Sequence, residues 1–392
     1  MSLDISTASR LNAVEEYYFS TKLKQIAQLK ADGIPVINIG IGSPDLAPSK
    51  KTIDALTAAA ANPDNHAYQG YQGIPALRKA FADFYAAHYT VELNPQSEIL
   101  PLMGSKEGIM HIAMAYLEAG DETLIPNPGY PTYQAACSLA GAKVLTYELS
   151  EETGWLPDLK ALESRDLSKV KIMWVNYPHM PTGAKADVFF FQQLKDFAQK
   201  HSILLVNDNP YSFILNEEPL SMLSIPGMME VGIELNSLSK SHNMAGWRVG
   251  ALMGKSVFLN PVLKFKSNMD SGMFLPLQVA AIEALSADLT WFKQQNALYK
   301  SRQKLVFELL DLLNCSYDKA QSGMFVWAKT PSDFSSGYEL SDDILINHAV
   351  FITPGGIFGT QGNEYIRISL CAKEEVFKEV IQRIKSKSNG IK

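Results

Sequence analysis

Residues 170–209 read VKIMWVNYPHMPTGAKADVFFFQQLKDFAQKHSILLVNDN, and this stretch decides the fold class. It opens on VKIMWVNYP (170–178) and closes on ILLVNDN (203–209), two strand-like runs rich in apolar residues. A strand buried on both faces reads in this way, without the alternation of a half-exposed one. Between the runs, Phe190, Leu194, Phe197 and Ala198 recur at helical spacing. Strand, helix and strand in that order make a crossover unit, which belongs to a mostly parallel sheet covered by helices.

The same texture extends in both directions. SEILPLM (97–103), ETLIPN (122–127), AKVLTYEL (142–149), GIELNSLS (232–239) and RVGALMG (248–254) bring the strand-like runs to seven. From Ser105 to Ala119, the residues Ile109, Ile112, Ala113, Tyr116 and Leu117 predict a helix. The ends of the chain differ. Residues 10–31 read as one helix, ahead of the Gly/Pro-rich GIGSPDLAPS (40–49). Beyond about residue 275 come long helical patterns, then GMFVWAK (323–329), VFITPG (350–355) and YIRISL (365–370), then a last helix. Its basic tail, RIKSKSNGIK (383–392), reads as a solvated helix end. The expected organisation is a large α/β domain over residues 49–275, with a smaller α+β domain built from residues 1–48 and 276–392.

Composition narrows the function classes. Of 392 residues, 46% are hydrophobic and 19% charged, the balance of a soluble globular protein with a sizeable core. Lys and Arg number 35 against 41 Asp and Glu, so the net charge of −6 gives no footprint for nucleic acid. Cys137, Cys315 and Cys371 are widely spaced and form no C-x-x-C, which points to reduced thiols in a cytoplasmic protein. The N-terminal MSLDISTASRLN (1–12) has no apolar core of a secretory signal, and no long apolar run predicts a membrane span.

Common motifs fail on spacing. GALMGKS (250–256) has three residues between its glycines where a phosphate-binding loop needs four. GIGSPD (40–45) lacks the third glycine of a dinucleotide fingerprint, G-x-S-x-G is missing, and the histidines show no H-E-x-x-H.

What remains sits after the strands, where open α/β sheets bind ligands. GSKEG (104–108), NPGYP (127–131), NYPHMPTG (176–183), DNPY (208–211) and SLSK (237–240) each follow one run. Taken singly, each conspicuous residue has an ordinary reading. Lys240 fits a solvated strand end, Asp208 a turn former, Arg248 a surface ion pair, and Arg367 a strand residue facing water. Together they suit pyridoxal 5′-phosphate. That cofactor needs a lysine for a Schiff base, a carboxylate for its ring nitrogen, donors for a dianionic phosphate and a flat residue against the ring.

The combination of SLSK, Arg248, PTG (181–183) and Asp208-x-x-Tyr211 resembles the class I/II, fold-type I aminotransferases of the aspartate-aminotransferase-like superfamily. The resemblance runs from about Arg10 to Lys385. It implies a seven-stranded, mostly parallel sheet between helices, with pyridoxal phosphate covalently held by Lys240, which then shuttles protons. It makes Asp208 the partner of the ring nitrogen, Tyr211 the donor to the ring hydroxylate and Tyr130 the stacking aromatic. Gly104, Ser105 and Lys106 open a helix whose amides hold the phosphate, with Ser237, Ser239 and Arg248 completing the cup. Tyr68 matches a tyrosine that reaches the phosphate from a second subunit, which implies a homodimer. Gly42 matches a glycine lining the substrate pocket, and Arg367 the clamp on the α-carboxylate. The reaction implied is ping-pong transamination between an amino acid and a 2-oxo acid.

One position departs from the pattern. Met180 stands where the family has the asparagine of Asn-Pro-Thr-Gly, a donor to the ring hydroxylate. Tyr211 alone, or Asn176, His179 or a water with it, would have to supply the contact. The donor is left open among aspartate-, alanine-, methionine- and diaminopimelate-type amino acids, with glutamate and 2-oxoglutarate as one pair. Lys106 matches a contact to acidic side chains and tilts the choice towards a diacid. A C–S β-lyase on the same fold is the nearest alternative, and a cofactor-sensing regulatory domain a more distant one.

Overall fold

In the computed structural model, which describes residues 3, 5–14 and 18–386, all seven apolar runs are strands of one sheet. They are β1 (Ile99–Leu102), β2 (Glu122–Asn127), β3 (Lys143–Glu148), β4 (Val170–Val175), β5 (Leu204–Asp208), β6 (Gly232–Ser237) and β7 (Gly250–Met253). Their order across the sheet is β1-β7-β6-β5-β4-β2-β3. β7 runs antiparallel to both neighbours, and every other pairing is parallel.

The continuous apolar runs are explained by burial on both faces. Along β4, Ile172 and Trp174 join one core while Met173 and Val175 join the other. The first core is filled by Ile109, Ile112 and Ala113 of the helix Ser105–Tyr116. The second takes Phe190, Leu194 and Phe197 of the helix Val188–His201, and Phe81 and Tyr85 of the helix Pro75–Tyr89. Strand alternation thus sends successive side chains into two helix layers.

A second, antiparallel sheet is made of β8 (Phe325–Lys329), β9 (Thr353–Pro354) and β10 (Tyr365–Ser369), in the order β9-β10-β8. Ile37–Asn38 pairs in parallel with Val350–Phe351, so the two ends of the chain meet there. Arg302, in the long helix Leu289–Leu312, grips Asp45 with two bonds of 2.7 and 2.9 Å and donates to the Leu370 carbonyl at 3.0 Å. This bidentate pair fixes the GIGSPD segment against the second sheet.

Three sequence expectations meet differences. The helix expected over residues 10–31 is a 3-10 turn, Ser9–Ala13, and a helix, Tyr18–Ala31, with Val14 extended after the turn. No residue of Ser9–Ala13 is buried, so that turn has no apolar face to reward helical extension. Residues 15–17, like the tail beyond residue 386, lie outside the described residues. The helix from Ser105 ends at Tyr116, because Leu117 is extended and Gly120 takes a positive φ of 101°. Leu275–Leu285, assigned from sequence mostly to the C-terminal part, packs on the helices Lys50–Ala61 and Pro75–Tyr89. Its Gln278 accepts from the Ile74 amide at 2.8 Å. Among the described residues no helix is long and apolar enough to cross a membrane.

Candidate active site

The carboxyl ends of β1, β2, β4, β5 and β6 border one cavity of about 730 Å³. Ser105 and Lys106 enter it after β1, Tyr130 after β2, Asp208 and Tyr211 at and after β5, and Ser237, Ser239 and Lys240 at and after β6. Arg248 reaches it from the turn before β7, Gly42 from the N-terminal segment, and Arg367 from β10. Residues from distant parts of the chain therefore share one volume.

Lys240 lies in a one-turn helix, Leu238–Ser241. Its Nζ donates to the Gly42 carbonyl at 2.7 Å. The ammonium is half-buried, and burial pushes its pKa down, with the Arg367 and Arg248 guanidiniums adding to the fall and the Cys371 thiol opposing it. A lowered pKa leaves more of the amine neutral and nucleophilic near pH 7. Gly42 leaves room for the Phe325 ring, since a Cβ there would sit 2.2 Å from it.

Asp208 ends β5, 4% exposed. Tyr133 donates to its Oδ2 at 3.0 Å, and that phenol is held by stacking on Trp174, with ring centres 5.2 Å apart. Oδ1 is buried with no hydrogen-bond partner. Burial raises the carboxyl pKa from 3.8 to about 7, the Tyr133 bond opposes the rise, and Glu234 on β6 adds to it. Glu234 is itself fully buried, accepting from Ser221 Oγ at 2.7 Å, Asn207 Nδ2 at 2.8 Å and Tyr85 OH at 2.9 Å.

A raised folded-state pKa has a direct consequence for stability. Asp208 keeps its proton longer in the folded chain, so its contribution is full below about pH 4 and is lost as pH rises towards about 7. Cofactor-free Asp208→Asn is therefore expected to be more stable than the parent at pH 8, by about 2 kcal/mol after solvent relaxation, and to show no such gain at pH 4. Urea midpoints at the two pH values measure it, and equal differences at both would refute the assignment.

The anion side of the cavity is built from backbone and a guanidinium. The helix Ser105–Tyr116 starts after Gly104 with no side chain capping it, which leaves its first amides available to an anion. Gly104 borders Arg248 closely: a Cβ on it would lie 2.2 Å from Arg248 Nη2. Arg248 has a positive φ of 58° and donates through Nη1 to the Ala245 carbonyl at 2.9 Å and Ser239 Oγ at 3.3 Å. Ser237 Oγ caps the short helix, accepting from the Ser239 amide at 3.2 Å. Behind the cup, Glu107, His111 and Asp270 converge, and Lys266 brings the balancing charge, 2.6 Å from Asp270.

On the opposite wall Arg367 is 4% exposed. Its guanidinium carbon lies 3.9 Å over the Phe325 ring and 4.6 Å over the Phe358 ring. Nη2 donates to the Gly40 carbonyl at 3.0 Å, and Nη1 lies 3.3 Å from Met180 Sδ. Two aromatic faces hold the planar fork in place for a carboxylate. Tyr211 packs edge-on to Phe325, and burial raises its phenol pKa well above the ordinary value. Tyr130 lies edge-on to Tyr133 at 5.6 Å, its phenol pKa also raised by burial.

Two expected residues do not line the cavity: Gly104, which lies against Arg248, and Tyr68. Tyr68 is 91% exposed and does not line the cavity of its own chain. Conversely, Tyr133, Phe325 and Phe358 were not singled out from sequence. Each is an apolar residue at ordinary core spacing, and only the fold places it against Asp208 or Arg367. Ser20 and Leu23 of the helix Tyr18–Ala31 also border the cavity.

The donor set fits pyridoxal phosphate on three observations. Asp208 Oδ1 is orphaned where a protonated ring nitrogen could satisfy it. The Ser105 helix start is open to a phosphate. Lys240 presents a desolvated amine in the same cavity.

Comparison with known proteins agrees. The family profile described as aminotransferase class I and II matches residues 34–384. The chain is 39% identical over 379 residues to an LL-diaminopimelate aminotransferase of Dehalococcoides mccartyi, covering 96% of this chain and 97% of that protein. It is 38% identical over 380 residues to the enzyme of the same name from Moorella thermoacetica, covering 96% and 97%. Among solved structures, substrate-bound BacF from Bacillus subtilis superposes with a TM-score of 0.94 at 34% identity, covering 100% of this chain and 99% of that one. On fold and sequence alike, the chain belongs to the class I and II aminotransferases, transaminases that depend on pyridoxal phosphate.

Proposed function

We propose that this transaminase takes its amino group from an amino acid bearing a second carboxylate, of the diaminopimelate type, and passes it to 2-oxoglutarate. The convergence of Lys240, Asp208, Arg248 and Arg367 on one cavity carries the assignment of the site. The near full-length likeness to LL-diaminopimelate aminotransferases supports the choice of donor.

In this reading Lys240 would hold the cofactor covalently and would move a proton from the substrate's α-carbon. Asp208 would keep the ring nitrogen charged, Tyr211 would donate to the ring hydroxylate and Tyr130 would stack on the ring. Gly104, Ser105, Lys106, Ser237, Ser239 and Arg248 seat the phosphate. Arg367 and the Gly42 backbone bind the α-carboxylate, with Lys106 turned towards the distal one. When bound, pyridoxal phosphate supplies the electron sink that the α-carbon's charge needs. The lowered pKa of Lys240 suits a group that must take up and return a proton near neutrality.

We further propose a cytoplasmic homodimer in which Tyr68, exposed on its own chain, completes the partner's phosphate site. The large unit spans about residues 49–275 with Leu275–Leu285 docked on it, and the small unit takes residues 1–48 and the rest of 276–392. Mixing the holoenzyme with single amino acids and following the cofactor's absorbance tests the donor. LL-diaminopimelate and glutamate are expected to convert it to the amine form. No response to LL-diaminopimelate would sink the proposed donor. Release of pyruvate and ammonia without an oxo-acid acceptor would move the chain to the C–S lyases.

A further inference from the structure

Position 180 carries a question that the geometry answers. Met180 is buried and borders the cavity beside Tyr211 and Arg367. Of the three side chains that could make up for the missing asparagine, two make local contacts instead. Asn176 donates through Nδ2 to the Asp208 carbonyl and accepts at Oδ1 from the Met180 amide, the latter at 2.8 Å. Each end of that amide has one partner there, which anchors the side chain to the backbone at the strand ends. His179 does not border the cavity. Its Nδ1 pairs with Thr182 Oγ1 at 2.8 Å, and burial pushes its pKa down to about 3, so it stays neutral. Tyr211 borders the cavity and lies in the same apolar cluster as Met180. The Met180 thioether is at most a weak acceptor, and it rests on Arg367 Nη1.

We propose that Met180 leaves the site one hydrogen-bond donor short. Among the described residues lining the cavity, Tyr211 is then the side chain that serves the ring hydroxyl. Beside Arg367, the substrate's α-carboxylate meets a thioether in place of an amide donor. The inference rests on Lys240 being the cofactor's anchor. Its physical content concerns the proton shared between the lysine nitrogen and the ring hydroxyl. Donors to the ring oxygen stabilise its negative charge and let that proton leave at lower pH. A site with one donor holds the proton to higher pH than a site with two. The same substitution loosens carboxylates, because a donor to a charged acceptor is missing.

The test is a pH titration of the holoenzyme's cofactor absorbance. Met180→Asn is expected to lower the midpoint by about one pH unit, and Tyr211→Phe to raise it by about one to two. The double variant is expected to return towards the parent, since one donor replaces the other. Met180→Leu keeps the parental midpoint, because neither side chain donates, and also shows that the site tolerates replacement. As a second readout, succinate, an unreactive carboxylate, should bind Met180→Asn about tenfold more tightly. A Met180→Asn midpoint equal to or above the parent's, or a double variant that stays with Tyr211→Phe, overturns the inference while leaving the anchor intact. A borohydride-stable cofactor adduct that survives in Lys240→Ala overturns the anchor and the inference with it.

Discussion

Lys240→Ala is expected to fold normally and to lose transamination by at least about 10⁴-fold, since it removes both the covalent tether and the proton carrier. The side chain is half-buried and borders an open cavity of about 730 Å³, so its removal enlarges an existing space and leaves no sealed void. Burial and two neighbouring guanidiniums disfavour its charge, so the truncated chain loses an electrostatic strain as well as a contact to Gly42. Thermal unfolding close to the parent's, with no turnover, is the expected pair of results. Turnover within about tenfold of the parent would mean that another group moves the proton.

Arg367→Ala ranks second, with kcat/KM falling about 10³-fold for the amino acid and the oxo acid alike. Both carry an α-carboxylate, and both would lose the same partner in a buried place. The loss should fall chiefly on KM, as expected for a contact made equally in the ground and transition states. Arg367→Lys is expected to recover little. Lysine offers a point charge where the Phe325 and Phe358 rings are spaced for a planar fork. Steady-state kinetics with each substrate varied in turn measures this. A loss confined to the amino acid would mean that the oxo acid binds through other residues.

The fold was legible because both faces of the large sheet are covered. Runs such as ILLVND show in sequence as nearly continuous apolar stretches, and each of the seven became a strand within about three residues of its expected ends. The N-terminal helix was over-extended because periodicity over residues 10–31 does not report whether a face is buried, and Ser9–Ala13 buries none. At the site, the charged and hydroxyl-bearing residues after each strand stood out chemically, and the fold brings all but Tyr68 and the cup's Gly104 to the cavity lining. Gly104 lies just behind, against Arg248. Tyr133, Phe325 and Phe358 were illegible for the opposite reason. Their side chains look like core, and their work depends on a through-space approach to Asp208 and Arg367 that no spacing encodes. The commitment of Asn176 and His179 was hidden in the same way, since each is spent on local contacts seen only once the turn after β4 is folded.

The account depends most on which nitrogen carries the cofactor. Reducing the holoenzyme with borohydride, digesting it and mapping the pyridoxyl mass by tandem mass spectrometry decides this in one measurement. The mass is expected on the peptide containing SLSK, at Lys240, in close to one copy per chain. Finding it on Lys106 or any other lysine, or finding no stable adduct on a chain that turns over, would contradict the account.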